Sequence, residues 1–408
     1  MTDKPNTGFE ELAKESQLYP QESMVKVKKG KKSLFIGIPK ETDYQENRLA
    51  LTPGGVEVLV NNGHEIWLES EAGKPSNYSD SDFSEAGARI IYSKEELYKA
   101  NVILKVEPPN SEEINLISSG STLISALQLT NIRKTYIDKL NKKKITAIGY
   151  ELIEDKVGGM PVVRAMSEIA GCSVMSIAAD YLSSSKEGKG ILLGGITGVP
   201  PTKVVILGAG TVAEYACRSA LGLGAEVQVF DNHLYKLRRL KHIIGQQIYT
   251  SSLDSVRLLE ALKSADVVIG AIRLEKGRQR FFVPEEWVSQ MKPGAVIIDV
   301  SIDQGGCFET SEMTTHLKPV FSRYGIVHYC VPNIASRVAR TATAAFSNIF
   351  TPIFVQAAEA GGIEEMIYAH SWFLKGVYTF KGNLTNADMG RKLNMPNHDL
   401  NILLAPRF

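Results

Sequence analysis

The sequence predicts an α/β protein made of two doubly wound domains, and three observations carry that prediction. Short apolar runs alternate with helical patterns along most of the chain, the signature of a parallel sheet with helices on its faces. The length of 408 residues is more than one core comfortably fills and fits two domains. Near the middle, a glycine turn, Gly208-Ala-Gly210-Thr-Val-Ala213, joins a wholly apolar strand to a helix.

In chain order, residues 1–33 are polar and end in the lysine cluster VKVKKGKK, read as a solvated tail or amphipathic cap. LFIGIPKE (34–41) is a strand and turn, and TPGGVEVLVNNGHEIWLES is a helix, a glycine stop and a second strand. NVILKVEPP (101–109) is a strand closed by two prolines. STLISALQLT (121–130) is another, ending on Gln128, and KKITAIGYEL follows the same pattern after a polar helix. PVVRAMSEIAGCSVMSIAADYL (161–182) starts with proline and reads as a long connecting helix. The later segments SADVVIGAI and GAVIIDVSIDQGG supply two further apolar strands.

Composition narrows the function classes. A charged fraction of 22% with a net charge of +1 leaves no global field that would recruit nucleic acid or an anionic membrane. Cys172, Cys217, Cys307 and Cys330 are scattered without a CxxC pair, which points to a reduced protein with neither a disulfide frame nor a metal site. No apolar run reads as the roughly 20 residues needed to span a bilayer, and the first 35 residues lack a signal-peptide core. The expectation is a cytoplasmic protein that acts on a small molecule.

The segment KVVILGAGTVAEYACRSALGLGAEVQVFD (203–231) carries the most chemistry. Gly208 permits a tight turn, Gly210 lets backbone approach a pyrophosphate, and Ala213 is small enough for the helix to pack on the strand. Free N–H groups at the helix start favour phosphate oxygens. Asp231 ends the next strand, where a carboxylate accepts hydrogen bonds from a ribose with both hydroxyls free and repels a 2′-phosphate. The order of strand, turn, helix, strand and acid points to NAD rather than NADP. Asp299 falls inside a strand, whereas Asp303 lies just past its end and faces the cleft.

Together with IPKETDYQENRLALTPGGV, VILKVEPP, MSEIAG, LLGGITGVPPTKVVILGAGTV, MKPGAVIIDVSIDQGGCFET and HYCVPNI, these segments resemble the alanine dehydrogenase and transhydrogenase α-subunit family over about residues 34–385. MSEIAG and DQGGCFET look like the alanine dehydrogenase branch. The resemblance implies an NAD-binding Rossmann domain (161–339) inserted in a Rossmann-like substrate domain (34–160 and 340–408), after an N-terminal extension (1–33). It also implies a homo-oligomer, hexamer or dimer. The activity implied is oxidative deamination of L-alanine to pyruvate and ammonia, with hydride leaving Cα for NAD.

Carried over position by position, the resemblance gives Arg48 the substrate carboxylate. Lys105 takes the same carboxylate or the carbonyl, and Asp303 works beside the nicotinamide. Ser167, Asp231, Lys236 and Asn333 join Gly208, Gly210 and Ala213 as cofactor contacts. Read alone, Arg48 is a surface partner of Glu46 and Lys105 a strand-edge charge. No metal site is expected. The chain departs from the family at Gln128, which occupies the place of a proton-carrying histidine, although an amide transfers no proton at neutral pH. Arg164, the stretch 272–278 and the stretch VPNIASRVAR also differ, the last placing Ile334 and Arg337 at the pocket. Extra arginines there would suit a larger or acidic amino acid or an opine-like amine. A third reading is an NAD-binding regulatory protein without turnover.

Overall fold

The computed structural model describes residues 31–43, 45–127, 132–272 and 282–405. The chain first lays down β1 (Phe35–Ile38), β2 (Glu65–Glu69), β3 (Arg89–Ile91), β4 (Val102–Leu104), β5 (Thr122–Ser125) and β6 (Thr146–Gly149). It then builds β7 (Lys203–Leu207), β8 (Glu226–Phe230), β9 (Tyr249–Ser251), β10 (Val267–Gly270), β11 (Val296–Asp299), β12 (Val320–Arg323) and β13 (Ile326–Tyr329). It finally returns to the first sheet as β14 (Val377–Phe380) and β15 (Asn383–Leu384).

Two sheets result. The order of the first is β3-β2-β1-β4-β5-β6-β14-β15, and that of the second is β9-β8-β7-β10-β11-β13-β12. Each repeats the doubly wound order, reversing direction between its first and fourth strands, and ligands in such sheets lie off the carboxyl ends at that reversal. The switch points are therefore β1/β4 and β7/β10. Both pairs are parallel, as are most others. The exceptions are at one edge of each sheet: β12 runs antiparallel to β13, and β14 runs antiparallel to β6 and β15.

Core strands such as VVIL and VVIG are apolar on both faces because helices cover both sides. The Pro161–Leu182 helix is 22 residues long and apolar enough to cross a membrane by length and composition, which corrects the expectation that no such run exists. Its buried residues, among them Val174, Met175, Ile177, Ala178 and Leu182, pack into the core of the second sheet. The carbonyl of Val212 lies where a Cβ on Gly171 would stand, 2.5 Å away, so this helix and the Thr211–Gly222 helix meet at backbone distance. The Ala339–Ala360 helix carries the chain back. Phe346, Phe350 and Phe354 lie along one side of it and fill the core of the first sheet.

Candidate active site

At the second switch point, the turn after β7 has the expected geometry. Gly208 has φ +107°, and a Cβ there would stand 2.5 Å from the carbonyl oxygen of Ala271. Gly210 is extended backbone with nothing within 4 Å of the Cβ position. The first glycine is thus required by the fold, and the second leaves open the space a pyrophosphate would need. Ala213 is fully buried in the first turn of the Thr211–Gly222 helix. Asp231 is buried just past β8. Its Oδ2 accepts from the Ala209 N–H at 2.8 Å, and its Oδ1 accepts from the His233 N–H at 2.7 Å. Three of about four carboxylate lone-pair sites are used once the His233 Nδ1 contact at 2.9 Å is added, leaving one for a ribose hydroxyl. These residues fit NAD. Lys236, in the helix after Asp231, is half-buried, with its ammonium 6.0 Å from the Tyr235 ring centre.

At the first switch point, the segments following β1 and β4 bring charge into the core. Arg48 is not the surface ion pair that its neighbourhood in the sequence implies. Its guanidinium is 7% exposed and held side-on by Glu46, with Nε to Oε1 at 2.8 Å and Nη2 to Oε2 at 2.5 Å. Nη1 points at the Met166 sulfur, 3.4 Å away, and the group lies over the Phe346 ring. Burial works to raise the Glu46 carboxyl, but the Arg48 charge and hydrogen bonds outweigh it and hold the group below the usual carboxylate range. Burial likewise works to lower Arg48, and Glu46 more than reverses it.

Lys105 is 1% exposed, with Nζ 3.2 Å from Glu41 Oε2 and 3.3 Å from Glu113 Oε1. Burial acts to lower its pKa, and the two carboxylates reverse that and keep it charged. The structure therefore places Lys105 beneath the cleft, engaged by two acids. Glu41 also accepts from the Val106 N–H at 2.7 Å, so this inner pair fixes the backbone leading to Glu107.

Glu107 was not singled out in the sequence. It lies past the end of β4, with Oε1 3.6 Å from Arg48 Nη2 and a side chain 19% exposed. Burial, then the Glu46 charge, push its carboxyl up to about 8 against the pull of Arg48. The only sequence signal was an acid next to two prolines at a strand end, which is ambiguous without knowing which carboxylates the fold gathers around it.

The two switch points meet across the segment 45–49. Asn333, in the left-handed conformation at φ 56°, donates from Nδ2 to Glu46 Oε2 at 2.7 Å. The Asn47 N–H donates to Ser336 Oγ at 2.9 Å, and the His316 N–H donates to Gln45 Oε1 at 2.9 Å. Asp303 sits in the single turn after β11, solvent-exposed at the cleft. Surrounding protein desolvates its carboxyl and raises it to about 6, while the Asn333 N–H and Arg48 pull the other way. Asp299 is fully buried. It accepts from the N–H groups of Ser301 and Cys307 and from the Ser311 hydroxyl, so it braces the loop that presents Asp303. Ser167 is half-buried in the Pro161–Leu182 helix, next to Met166.

Three expectations change. Ile334 is 4% exposed and belongs to the core of the second sheet. Arg337 pairs with Asp180 at 3.2 Å, with its side chain 39% exposed, and Arg164 pairs along its own helix with Glu168. Both arginines are thus engaged by acids of the Pro161–Leu182 helix. Gln128 and the stretch 273–281 lie outside the described residues. Among the described residues, no cluster of three metal-ligating side chains occurs.

Two family models match the chain: alanine dehydrogenase/PNT, N-terminal domain, over residues 37–170, and alanine dehydrogenase/PNT, C-terminal domain, over residues 174–387. The chain belongs to the alanine dehydrogenase/PNT family. It is 38% identical to an alanine dehydrogenase of Mycolicibacterium smegmatis over 373 residues, 91% of this chain and 100% of that protein. It is 39% identical to the alanine dehydrogenase of Bacillus subtilis over 362 residues, covering 88% and 95% respectively. A solved L-alanine dehydrogenase superposes with a TM-score of 0.82 at 35% identity, covering 87% of this chain and 98% of that one. A transhydrogenase from Sinorhizobium meliloti shares the fold, with a TM-score of 0.73 at 24% identity over 86% and 99%.

Proposed function

We propose that this protein is an NAD-dependent amino-acid dehydrogenase that deaminates L-alanine to pyruvate and ammonia, reversibly. One observation carries the reading. An open dinucleotide turn at one switch point and a buried guanidinium at the other are joined by the Asn333–Glu46 hydrogen bond. The names of the relatives, alanine dehydrogenases that the chain matches over nine-tenths of its length, support the substrate.

In this reading residues 34–160 and 340–408 hold the substrate and residues 161–339 hold NAD. Gly208, Gly210 and Ala213 would cradle the pyrophosphate, Asp231 would take a ribose hydroxyl, and Ser167, Lys236 and Asn333 would flank the cofactor. Bound NAD supplies the hydride acceptor for the substrate Cα. Glu46 covers the Nε–Nη2 edge of Arg48, so the substrate carboxylate takes the Nη1 and remaining Nη2 protons, displacing the weak Met166 contact. Lys105 acts through Glu41 to hold the segment at Val106–Glu107, and Asp303 accepts a proton on the nicotinamide side. The assembly is a homo-oligomer.

The test is NADH oxidation by the purified protein with ammonia and pyruvate, 2-oxoglutarate, oxaloacetate or glyoxylate. Turnover confined to pyruvate is the expected result. A signal only on a dicarboxylic oxo acid would make the substrate wrong. NADH binding with no turnover on any of the four would make the protein a non-catalytic NAD binder.

A further inference from the structure

We propose that Glu107 is the proton-carrying catalytic residue of this site, exchanging protons with water and with the amino and hydroxyl groups on the substrate carbon. This rests on the dehydrogenase reading above. The argument begins with the geometry of Arg48. Glu46 covers one edge of the guanidinium, and the edge left open is flanked by Met166 Sδ at 3.4 Å and Glu107 Oε1 at 3.6 Å. A carboxylate seated on that edge places its Cα one bond beyond, beside the Glu107 carboxyl. Lys105 cannot do this work, being buried and paired with two acids.

Position alone would fit an inert second counter-ion for Arg48, and the surrounding charges argue otherwise. Glu46 and Asp43 face Glu107 from the segment after the β1 turn, and Glu41 faces it from that turn itself. Tyr150 adds a neutral phenol from the end of β6, with its hydroxyl on the Val106 carbonyl at 2.7 Å. Two cations stand among these groups, and both are already engaged: Arg48 by Glu46, and Lys105 by Glu41 and Glu113. Burial, and after it crowding by like charges, thus keep a proton on Glu107 up to about pH 8.

The chemistry then balances. After hydride loss the substrate carbon is an iminium. The water oxygen bonds to that carbon, and one water proton passes to the Glu107 carboxylate, leaving a neutral carbinolamine. Glu107 returns the proton to the amino nitrogen. The C–N bond breaks with its electron pair leaving on ammonia. The hydroxyl proton moves to Glu107 as the carbonyl forms, and solvent removes it. Deamination therefore needs Glu107 ionised at the start, whereas reductive amination needs it protonated.

The test compares wild type, Glu107→Gln and Glu107→Asp in both directions from pH 6 to 10. The wild-type kcat for deamination should rise through about pH 8, and that for amination should fall there. Glu107→Gln should lower kcat by about 10²-fold or more and lose that inflection, with NADH affinity unchanged. Glu107→Asp, or acetate added to Glu107→Ala, should restore part of it. As a readout without turnover, the wild-type Tm should fall from pH 6 to 9 more steeply than that of Glu107→Gln. A Glu107→Gln enzyme with wild-type kcat and pH profile would overturn the inference and leave the dehydrogenase reading standing. A changed KM with an unchanged profile would reduce Glu107 to a positioning residue and also overturn it. Wild-type silence on every oxo acid would sink both.

Discussion

Replacing each of the two glycines of the dinucleotide turn by alanine should separate fold from binding. At Gly208 the backbone has φ +107°, and the new Cβ would stand 2.5 Å from the Ala271 carbonyl oxygen, on a strand-end backbone that cannot swing aside. The left-handed conformation costs a non-glycine residue about 1–2 kcal/mol, and forcing an extra carbon into a packed site costs about 1–3 kcal/mol more. Gly208→Ala should therefore lose roughly 2–5 kcal/mol, a Tm drop of about 2–6 °C for a chain of this size unfolding as one unit. At Gly210 the backbone has φ −83° and ψ −167°, which alanine adopts freely, and nothing lies within 4 Å of the Cβ position. Gly210→Ala should leave Tm unchanged or raise it by the few tenths of a kcal/mol that a stiffer unfolded chain contributes. The same methyl group would nevertheless enter the space reserved for the pyrophosphate. NADH affinity should weaken about tenfold or more, which corresponds to ~1.4 kcal/mol. Thermal melts and NADH fluorescence titrations on both variants read the two effects separately. An unchanged Kd for Gly210→Ala would refute the placement of the pyrophosphate at this turn. An unchanged Tm for Gly208→Ala would refute the strain argument.

Three further outcomes follow from the site. Asp231→Ala removes both the ribose acceptor and the acceptor for the Ala209 N–H, so NADH should bind more weakly and preference over NADPH should shrink; competition titrations measure both. Arg337→Ala should leave KM for every 2-oxo acid within about twofold, because Arg337 is already engaged by Asp180; a selective KM rise for a dicarboxylic acid would restore the acidic-substrate reading. Asp303 carries a carboxyl raised to about 6, and as a proton acceptor it must be ionised. Deamination should fall a second time and more steeply as the pH drops through about 6, and Asp303→Asn should abolish that second fall along with most of kcat while the Glu107 inflection near pH 8 remains. A second fall near pH 6 that persists in the variant assigns it to another group.

Legibility in the sequence followed the range of the interactions involved. Gly208, Gly210, Ala213 and Asp231 were readable because each is fixed by a contact within one strand–turn–helix–strand unit. Asp231 reaches Ala209 across only 22 positions that the fold always brings together. The antiparallel edges were not readable: β14 pairs with β6 across more than 200 residues, and nothing local to VYTF announces that partner. Arg48 was half readable. Its partner Glu46 stands two positions away, but its burial depends on Phe346 and Met166 arriving from distant helices. Lys105 read alone as a strand-edge charge for the same reason, since Glu41 closes over it from the turn after β1 and Glu113 from the Ser111–Leu116 helix. Arg337 is expected at the pocket from the family resemblance of its segment, whereas the direction of a side chain on a single turn is set by whichever acid lies opposite, here Asp180.

The placement of charge at the β1/β4 switch point bears on how this site would move protons with Gln128 where the resemblance implies a histidine. Glu46 holds Arg48, and Glu41 and Glu113 hold Lys105, so each cation enters the reaction already compensated. A buried pair of this kind contributes little net stability, whereas removing one partner is costly because it strands the other. What the arrangement provides is a fixed potential, in which one more carboxylate is the group least able to ionise. Glu107 occupies that position, and it does so at the edge of Arg48 that Glu46 leaves open. An imidazole brings its own pKa near neutrality; here burial and the charges of Glu46, Glu41 and Asp43, set against Arg48, would create one. Moving Glu46 should therefore shift the Glu107 inflection as well as weaken Arg48. In Glu46→Gln the loss of a neighbouring negative charge lowers Glu107, and Arg48 pulls it down further. Both halves of the pH–rate profile should then move to lower pH together, an effect that a purely structural ion pair would not produce.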